Sequence, residues 1–363
     1  GQRAGFGRIE SPGKIAARIW SSADQKVSIR ARVSRALERR AHLIENQSEI
    51  SHTNAYRLIH GEADGFGGLA IDRLGPAIRV LVTGRSALGL IRPTLAAIIS
   101  EMEKELGPHP PTVCVLNLRD TPKGRFRCVT PILRDPSHPQ PPNEPLIVRE
   151  LGLRYEIDLG LDTPEHGRPA TGLYLDQREN RHRLQSHIAE RSGGCWLNLF
   201  CHTGAFSVTA LAAGAERVIS VDLSANYLAW LERNLALNAL DDGRHRAVKS
   251  DARRFLEGNT ELFDGIIFDP PTAAAAGKRF WSVRKEARAM LAHALRSLRP
   301  GGVLLASTNA RRKTGTLRTE VERAAADQAI RLKRVQAAPP GADFPRLKGF
   351  SEGDAFEGIW AVR

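Results

Sequence analysis

Acidic residues are in short supply in this chain. Over 363 residues, 40 Asp and Glu face 53 Lys and Arg, leaving a formal net charge of +13. A basic excess of that size concentrates phosphate near the surface and favours nucleic acid as a partner. Cysteine is scarce as well: Cys114, Cys128, Cys195 and Cys201 show no C-x-x-C spacing. That speaks against a thiolate metal site and for a reducing compartment. No apolar run approaches the roughly 20 residues needed to cross a bilayer, so no membrane insertion is expected. A hydrophobic fraction of 42% suits a globular protein, and the length allows two or three domains with their own cores.

What is present is most informative from Phe263 to Thr272, FDGIIFDPPT. Prolines cannot continue a central strand. The apolar run therefore ends there and leaves Asp269 at a strand's carboxyl edge, where open α/β sheets keep their chemistry. Followed by Pro270, Pro271 and Thr272, that acid and its backbone carbonyl are aimed at one substrate atom. Upstream, GCWLNLFCHTGAFSVTALAAGA reads as a buried strand ending near Phe200, a turn through Cys201 to Gly204, and a helix of small and apolar residues. RVISVDLS adds a strand ending in Asp222, 18 positions after Gly204. Dinucleotide folds place a ribose-binding acid at a similar offset of about 20 residues. G-x-G-x-x-G is absent, so a nicotinamide is disfavoured and S-adenosylmethionine suits the pattern better. Strands and helices then alternate as a doubly wound parallel sheet requires, and the LRPGG segment is expected to stop the helix after DPP before the strand VLLAS.

Before residue 146 the organisation differs. Residues 1–22 hold short strand-like alternations, and 27–46 read as one basic helix with Val33, Leu37, Ala41 and Ile44 on one face. Its opposite arginines suit RNA contact and plain solvation equally. From Asn54 to about Thr130 an α+β module is expected, in which Gly65, Gly67 and Gly68 serve a turn. RDPSHPQPPNEP, with five prolines over 134–145, is a stiff linker.

TGLYLDQRENR, NLFCHTG, VDLS, NLALN, FDPPT and LRPGG, in this order and spacing, resemble the S-adenosylmethionine-dependent methyltransferases that modify bacterial large-subunit ribosomal RNA. This resemblance covers residues 146–363, and TNAYRLIHGEADGFGGLAIDRLG resembles the opening of the family's central α+β module. The fold it implies is α/β. A Rossmann-like class I methyltransferase domain spans 146–363, a smaller α+β RNA-binding domain with its basic helix spans 23–133, and a partial PUA-like segment occupies 1–22. The resemblance implies that Asp222, with Leu223 and Ser224, takes the ribose hydroxyls. Backbone groups around Asn198, Phe200 and Gly204 would meet the methionine end, and Asp251, with Ala252, the adenine amino group. Tyr174, Asp176 and Arg178 would close the pocket. An ordinary helix cap is the competing reading for each carboxylate.

The acceptor depends on what is missing. Cytosine C5 becomes nucleophilic only after a thiolate adds at C6, and the family's cytosine branch carries that cysteine in the strand after LRPGG. This chain reads ASTNARR there, and Cys201, in the donor loop, reads as packing. DPPT followed by S-x-N-x-R resembles the guanine-N7 branch, with Asp269, Pro270, Pro271, Thr272, Ser307, Asn309 and Arg311 as the matching positions. That branch has a phenylalanine after DPPT, where this chain has Ala273. Phe280 or Trp281 either substitutes by stacking an extruded base or belongs to the core at a helix start.

Residues 278–334 hold 15 Lys or Arg against 4 Asp or Glu. Lys278, Arg279, Arg311 and Arg312 therefore join Phe280 and Trp281 as candidate RNA contacts, since charge for solubility alone need not cluster. The expected cofactor is S-adenosyl-L-methionine, with no metal. Expected partners are ribosomal RNA or the large ribosomal subunit and a second copy in a homodimer, with no membrane. A start at Gly1 rather than Met is what a trimmed start or a removed targeting segment leaves, so the compartment is the cytoplasm or an organelle matrix, mitochondrial or plastid. Alternative readings are a methyltransferase fold kept as a structural or assembly component of a ribosome and a 5-methylcytosine enzyme. A protein-lysine or small-molecule methyltransferase is a third, against which the basic block argues.

Overall fold

The computed structural model describes residues 5–9, 17–22, 28–45, 52–106, 112–117, 127–129, 145–160, 170–191, 193–271, 273–276, 279–309, 315–348 and 356–363. The chain divides into two compact units. The first is Gly1–Gly152, Glu156–Leu175 and Ala342–Asp354, and the second is Leu153–Tyr155, Asp176–Gly341 and Ala355–Arg363. Most of the Pro-rich linker, 134–144, lies outside the described residues. No described helix is long and apolar enough to cross a membrane.

In the first unit, β1 (Gly5–Ile9) and β2 (Ala17–Ser22) pair antiparallel. The expected single helix over 27–46 is instead two, α1 (Ile29–Glu38) and α2 (Ala41–Glu45). The break falls at Arg39 and Arg40. Arg40 is fully buried, and its guanidinium donates to the carbonyls of Ala36 and Arg57 at 2.8 Å each and to both Asp64 oxygens at 3.1 and 2.7 Å. A buried guanidinium is tolerable only where its rigid fork of donors finds acceptors, and turning inward at Arg40 meets that demand. The arginines offered to RNA are mostly engaged at home. Arg30 pairs with Glu101 at 3.0 Å, Arg39 with Asp64 at 2.7 Å, and Arg32 donates to the Gly65 carbonyl.

The rest of this unit is a five-stranded sheet with helices. β3 (Ala55–His60), β4 (Leu69–Leu74) and β5 (Ala77–Val82) run antiparallel in turn. α3 (Ile91–Glu101) and α4 (Glu103–Leu106) lead to β6 (Thr112–Asn117), parallel to β5, and then to β7 (Arg127–Val129). Gly65 and Gly68 both have φ +80°, and the Gly65 N–H closes a turn onto the Glu62 carbonyl at 3.0 Å. Asp343, fully buried, accepts from the Arg57 backbone N–H at 3.0 Å, and its carbonyl accepts from Arg40 at 2.9 Å. β8 (Leu146–Glu150) also lies in this unit, whereas β9 (Leu153–Ile157) opens with the Leu153–Tyr155 stretch of the second.

The second unit runs α5 (Arg178–Arg191), β10 (Cys195–Leu199), α6 (Ala205–Ala212), β11 (Arg217–Asp222), α7 (Ala225–Leu237), β12 (His245–Lys249), α8 (Ala252–Gly258) and β13 (Phe263–Phe268). It continues through the hairpin β14 (Ala273–Ala276) and β15 (Arg279–Ser282), then α9 (Val283–Arg296), β16 (Leu298–Thr308), α10 (Leu317–Asp327), β17 (Arg334–Ala337) and β18 (Glu357–Val362). Seven strands form one sheet in the order β12-β11-β10-β13-β16-β18-β17, with β18 antiparallel to both neighbours. LRPGG does not separate helix from strand as expected. The helix ends at Arg296, and Leu298–Gly302 is already part of β16.

The chain leaves β10 toward β11 and β12 on one side, and β13 and β16 build the other. This places a topological switch point between β10 and β13, and open sheets bind ligands beyond the carboxyl ends of their strands at such a point. Asp222 and Asp269 stand at or just past the carboxyl ends of β11 and β13, which flank β10.

Candidate active site

The turn after β10 is backbone under constraint. Phe200 (φ 56°) and His202 (φ 51°) are both left-handed without being glycine, a conformation costing roughly 1–2 kcal/mol per residue. The surroundings impose it: the Cys201 N–H donates to the Val221 carbonyl at 3.1 Å, and the His202 N–H to Asp222 Oδ2 at 2.9 Å. Gly204 follows at φ 79° as the N-cap of α6, and a Cβ there would overlap the side chain of Leu231.

Asp222 is held in the open end of this turn. Its Oδ1 accepts from the Ser224 N–H at 2.9 Å, and Ser224 caps α7 by accepting from the Tyr227 N–H at 3.2 Å. Burial pushes the Asp222 carboxyl up, opposed by the backbone N–H groups of Ser224, His202 and Leu223. Each carboxylate oxygen has a second lone-pair direction, so a vicinal diol can be bound without breaking these contacts. Asp251 is a helix cap: Oδ1 accepts from Arg253 and Arg254 at 3.0 and 3.1 Å, while Oδ2 takes no part in the cap. Capping and amine binding are therefore compatible. Leu223 is 47% exposed, Ala252 is buried, and Tyr174, which falls in the first unit, is 45% exposed. A nucleoside with a diol and an exocyclic amine fits this donor and acceptor set.

Beneath the turn lies a hydrogen-bond chain that sequence reasoning missed. Buried Asn198 donates to Ser207 Oγ at 2.8 Å, Ser207 and Ser220 are 2.7 Å apart, Ser220 meets His245 Nε2 at 2.8 Å, and His245 Nδ1 faces Glu232 at 3.3 Å. Burial pushes His245 down to about 4, so it is neutral at pH 7. An amide N–H at one end and a carboxylate at the other fix the direction: Asn198 donates to Ser207, Ser207 to Ser220, Ser220 to His245 and His245 to Glu232. The chain ties β10, β11, β12 and α6 under the constrained turn. Ser207→Ala leaves two buried groups without their partner and is expected to lower stability by about 1–3 kcal/mol. Urea denaturation measures this, and an unchanged midpoint would show the chain to be slack.

Asp269 sits in a second network. Its Oδ1 accepts from Ser307 Oγ at 2.7 Å and its Oδ2 from Gln177 Nε2 at 2.9 Å, which also reaches Ser307 Oγ at 2.9 Å. Gln177 Oε1 accepts from Asn180 Nδ2 at 2.8 Å, and Asn180 Oδ1 from Arg183 at 3.2 Å. Arginine only donates, so the polarity runs one way, from Arg183 through Asn180 and Gln177 to the carboxylate. Every group facing Asp269 in this chain donates, the arrangement an ionised acid requires. Burial nonetheless raises its carboxyl to about 6, and the negative charge of Asp176 adds to the shift. Asp176 lies near Asn309, whose Nδ2 approaches Asp176 Oδ2 at 3.5 Å. Thus Asp176 stands beside the acid of the DPP motif, while Arg178 is buried in α5.

A family profile described as S-adenosylmethionine-dependent methyltransferase matches residues 138–350. Ribosomal RNA large subunit methyltransferase I of Shewanella denitrificans is 30% identical over 99% of this chain and 87% of its own length. The chain belongs to the S-adenosylmethionine-dependent large-subunit ribosomal RNA methyltransferase family. Methyltransferase I of Cronobacter sakazakii is 27% identical, over 95% of this chain and 84% of the relative. The crystal structure of the methyltransferase SMU.776 complexed with SAH has a TM-score of 0.76 at 22% identity, covering 99% of this chain and 88% of that one, and shares the fold.

Not every expected contact of this methyltransferase falls where the structure can place it. Thr272, Lys278, Arg311 and Arg312 lie outside the described residues, as do the side chains of Arg279, Phe280 and Trp281. Phe280 and Trp281 do not open a helix: they belong to β15, opposite Ala275 and Ala274 of β14. Much of the basic block beyond them is neutralised within the unit, since Arg288 pairs with Asp327 at 2.7 Å, Arg318 with Glu322 at 2.9 Å and Arg299 with Asp264. Cys201 is 4% exposed, and burial raises its thiol well above the ordinary range.

Proposed function

We propose that this methyltransferase modifies guanine N7 in large-subunit ribosomal RNA, with no covalent enzyme–base intermediate. The observation that carries this reading is the set of groups around Asp269. Ser307 and Gln177 donate to the carboxylate, and Asn309 approaches Asp176, whose charge acts on Asp269. No thiol is among these groups, whereas cytosine C5 chemistry needs a thiolate. Cys201, with its raised pKa, is a poor source of one.

S-adenosylmethionine supplies a methyl group on a sulfonium, which a lone pair displaces in line. Guanine N7 already presents such a lone pair, so the protein's task is to orient the two reactants and exclude water. Asp222 would hold the ribose diol, Asp251 Oδ2 the adenine amine, and the backbone of the Phe200–Gly204 turn the methionine end. Asp269 would orient the base as an acceptor, and the Asn309 amide as both donor and acceptor.

Two outcomes test this reading. Methylation maps of ribosomal RNA from cells with and without the protein are expected to differ at one or more guanines, and a difference confined to cytosines overturns it. Cys201→Ser is expected to retain kcat within a few-fold, because no bond to sulfur forms. A loss of about 10³-fold or more with S-adenosylmethionine binding intact would contradict it.

A further inference from the structure

Most basic side chains of the second unit are engaged by acids or carbonyls. Among the described residues of that unit, seven exposed cations make no ion pair and no side-chain hydrogen bond. Arg154 on β9 stands by itself, and the other six fall in two groups of three: Arg246, Lys249 and Arg254 on β12 and α8, and Arg331, Lys333 and Arg334 leading into and starting β17. β12 and β17 are the two edge strands of the seven-stranded sheet. Lysine and arginine commonly guard sheet edges against pairing with another chain, and that purpose accounts for either group by itself.

Register separates them. Lys249 pairs with Asp222 at the carboxyl end of β11, so it stands on the rim that carries the candidate site. Arg246 lies three residues back along the strand, opposite Ile219, about 10 Å away at 3.3 Å per residue and, at that odd spacing, on the other face, so the two flank the β12 edge. Arg254 sits in the first turn of α8, the helix capped by Asp251. The β17 group is at the other end of the sheet. Arg334 is level with Val362, which is opposite Val303, whereas the rim on that side is reached only at Thr308 and Glu357.

Apart from exposed Asp241, ahead of the strand's amino-terminal end, the acids near β12 are already committed. Glu257 pairs with Arg253 at 3.2 Å, Glu232 faces His245, Asp242 pairs with Arg244 at 2.6 Å, and Asp251 caps α8. The three cations therefore keep their charge for an external anion.

We propose that Arg246, Lys249 and Arg254 form a phosphodiester-binding track for the RNA substrate along the β12 edge, beside the Asp251 cap. The track holds the RNA backbone on the cofactor side of the rim and carries no base specificity. The inference rests on the RNA substrate reading above.

The test compares the wild type with Arg246→Gln, Lys249→Gln, Arg254→Gln combined, and with a control carrying Arg331→Gln, Lys333→Gln, Arg334→Gln. The probe is an unmodified transcript of large-subunit ribosomal RNA, with affinity followed between 50 and 200 mM salt. Each lost phosphate contact removes about 0.7 from the log–log salt slope. The β12 variant is expected to lose about 2 in slope, so that wild-type affinity falls roughly 20-fold more than the variant's across this range. The control is expected to keep the wild-type slope, and all three proteins to bind S-adenosylmethionine alike, which reports intact folding. If the triple variant fails that check, Lys249→Gln alone must still lose about 0.7.

A wild-type slope in the β12 variant overturns the track, as does an equal loss in the β17 control. Wild-type protein that binds no ribosomal RNA defeats the substrate reading itself, and the track with it.

Discussion

Asp269→Ala is expected to lower kcat for RNA methylation by about 10²- to 10⁴-fold while S-adenosylmethionine affinity stays within a few-fold. Removing the carboxylate takes the shared acceptor away from Ser307 and Gln177, which hold it at 2.7 and 2.9 Å, so the acceptor base loses its orienting group. Asp222 ends β11 and Asp251 caps α8, so the proposed cofactor contacts would be kept. Single-turnover kinetics and calorimetry separate the two readouts. Equal losses in rate and cofactor affinity would mean that Asp269 acts through the fold.

Asp269→Asn adds a pH dependence whose sign follows from burial. The wild-type carboxyl has its pKa raised from 3.8 to about 6, so it contributes stability that is present below about pH 4 and lost as pH rises through about 6. At pH 8 the ionised form is less favourable by on the order of 3 kcal/mol. Because the Ser307 hydroxyl can turn to accept from the new amide N–H while Gln177 still donates to its oxygen, the asparagine variant is expected to melt higher than wild type at pH 8 and close to wild type near pH 4. The wild-type rate should fall as pH drops below about 6, because the acceptor is then protonated, and the variant should lack that limb. A gain in stability at the expense of activity is common where a site keeps a costly charge.

Gly204→Ala is expected to raise the dissociation constant for S-adenosylmethionine by about 10²-fold or more and to lower stability by roughly 2–5 kcal/mol. Two independent causes add. The residue sits at φ 79°, and its new Cβ would overlap Leu231 of α7. Relief must come from movement of the turn that carries Phe200 and His202, or of α7, whose N-cap Ser224 is bonded to Asp222. Adding Leu231→Ala removes the overlap and leaves the backbone strain, so the double variant should recover part of the affinity. Wild-type affinity in Gly204→Ala would show that the turn does not shape the cofactor site.

The strand ends that carry the site were legible because their punctuation is local. Two prolines stop β13 directly after Asp269, and Gly204 and Asp222 sit at a recognisable offset. The parallel sheet follows from alternating strands and helices. The Arg183–Asn180–Gln177 chain was not legible, since Gln177 meets Asp269 and Ser307 across 92 and 130 residues. Its trace in the sequence is three polar residues spaced i, i+3 and i+6, with Gln177 just before α5 and Asn180 and Arg183 within it. Likewise the helix break at Arg40 depends on Asp64, 24 residues away, and no periodicity within 27–46 announces it. Asn198, Ser207, Ser220 and His245 look like scattered polar residues until strand register brings them together.

The guanine-N7 reading depends on a buried acid with donors around it and no thiol among the described groups that bond to it. Its most direct test is transfer of labelled methyl from S-adenosylmethionine to an unmodified large-subunit ribosomal RNA transcript by the purified protein, followed by digestion to nucleosides. The label is expected in 7-methylguanosine. Label in 5-methylcytidine, or none in RNA while the protein binds S-adenosylmethionine, would contradict the account.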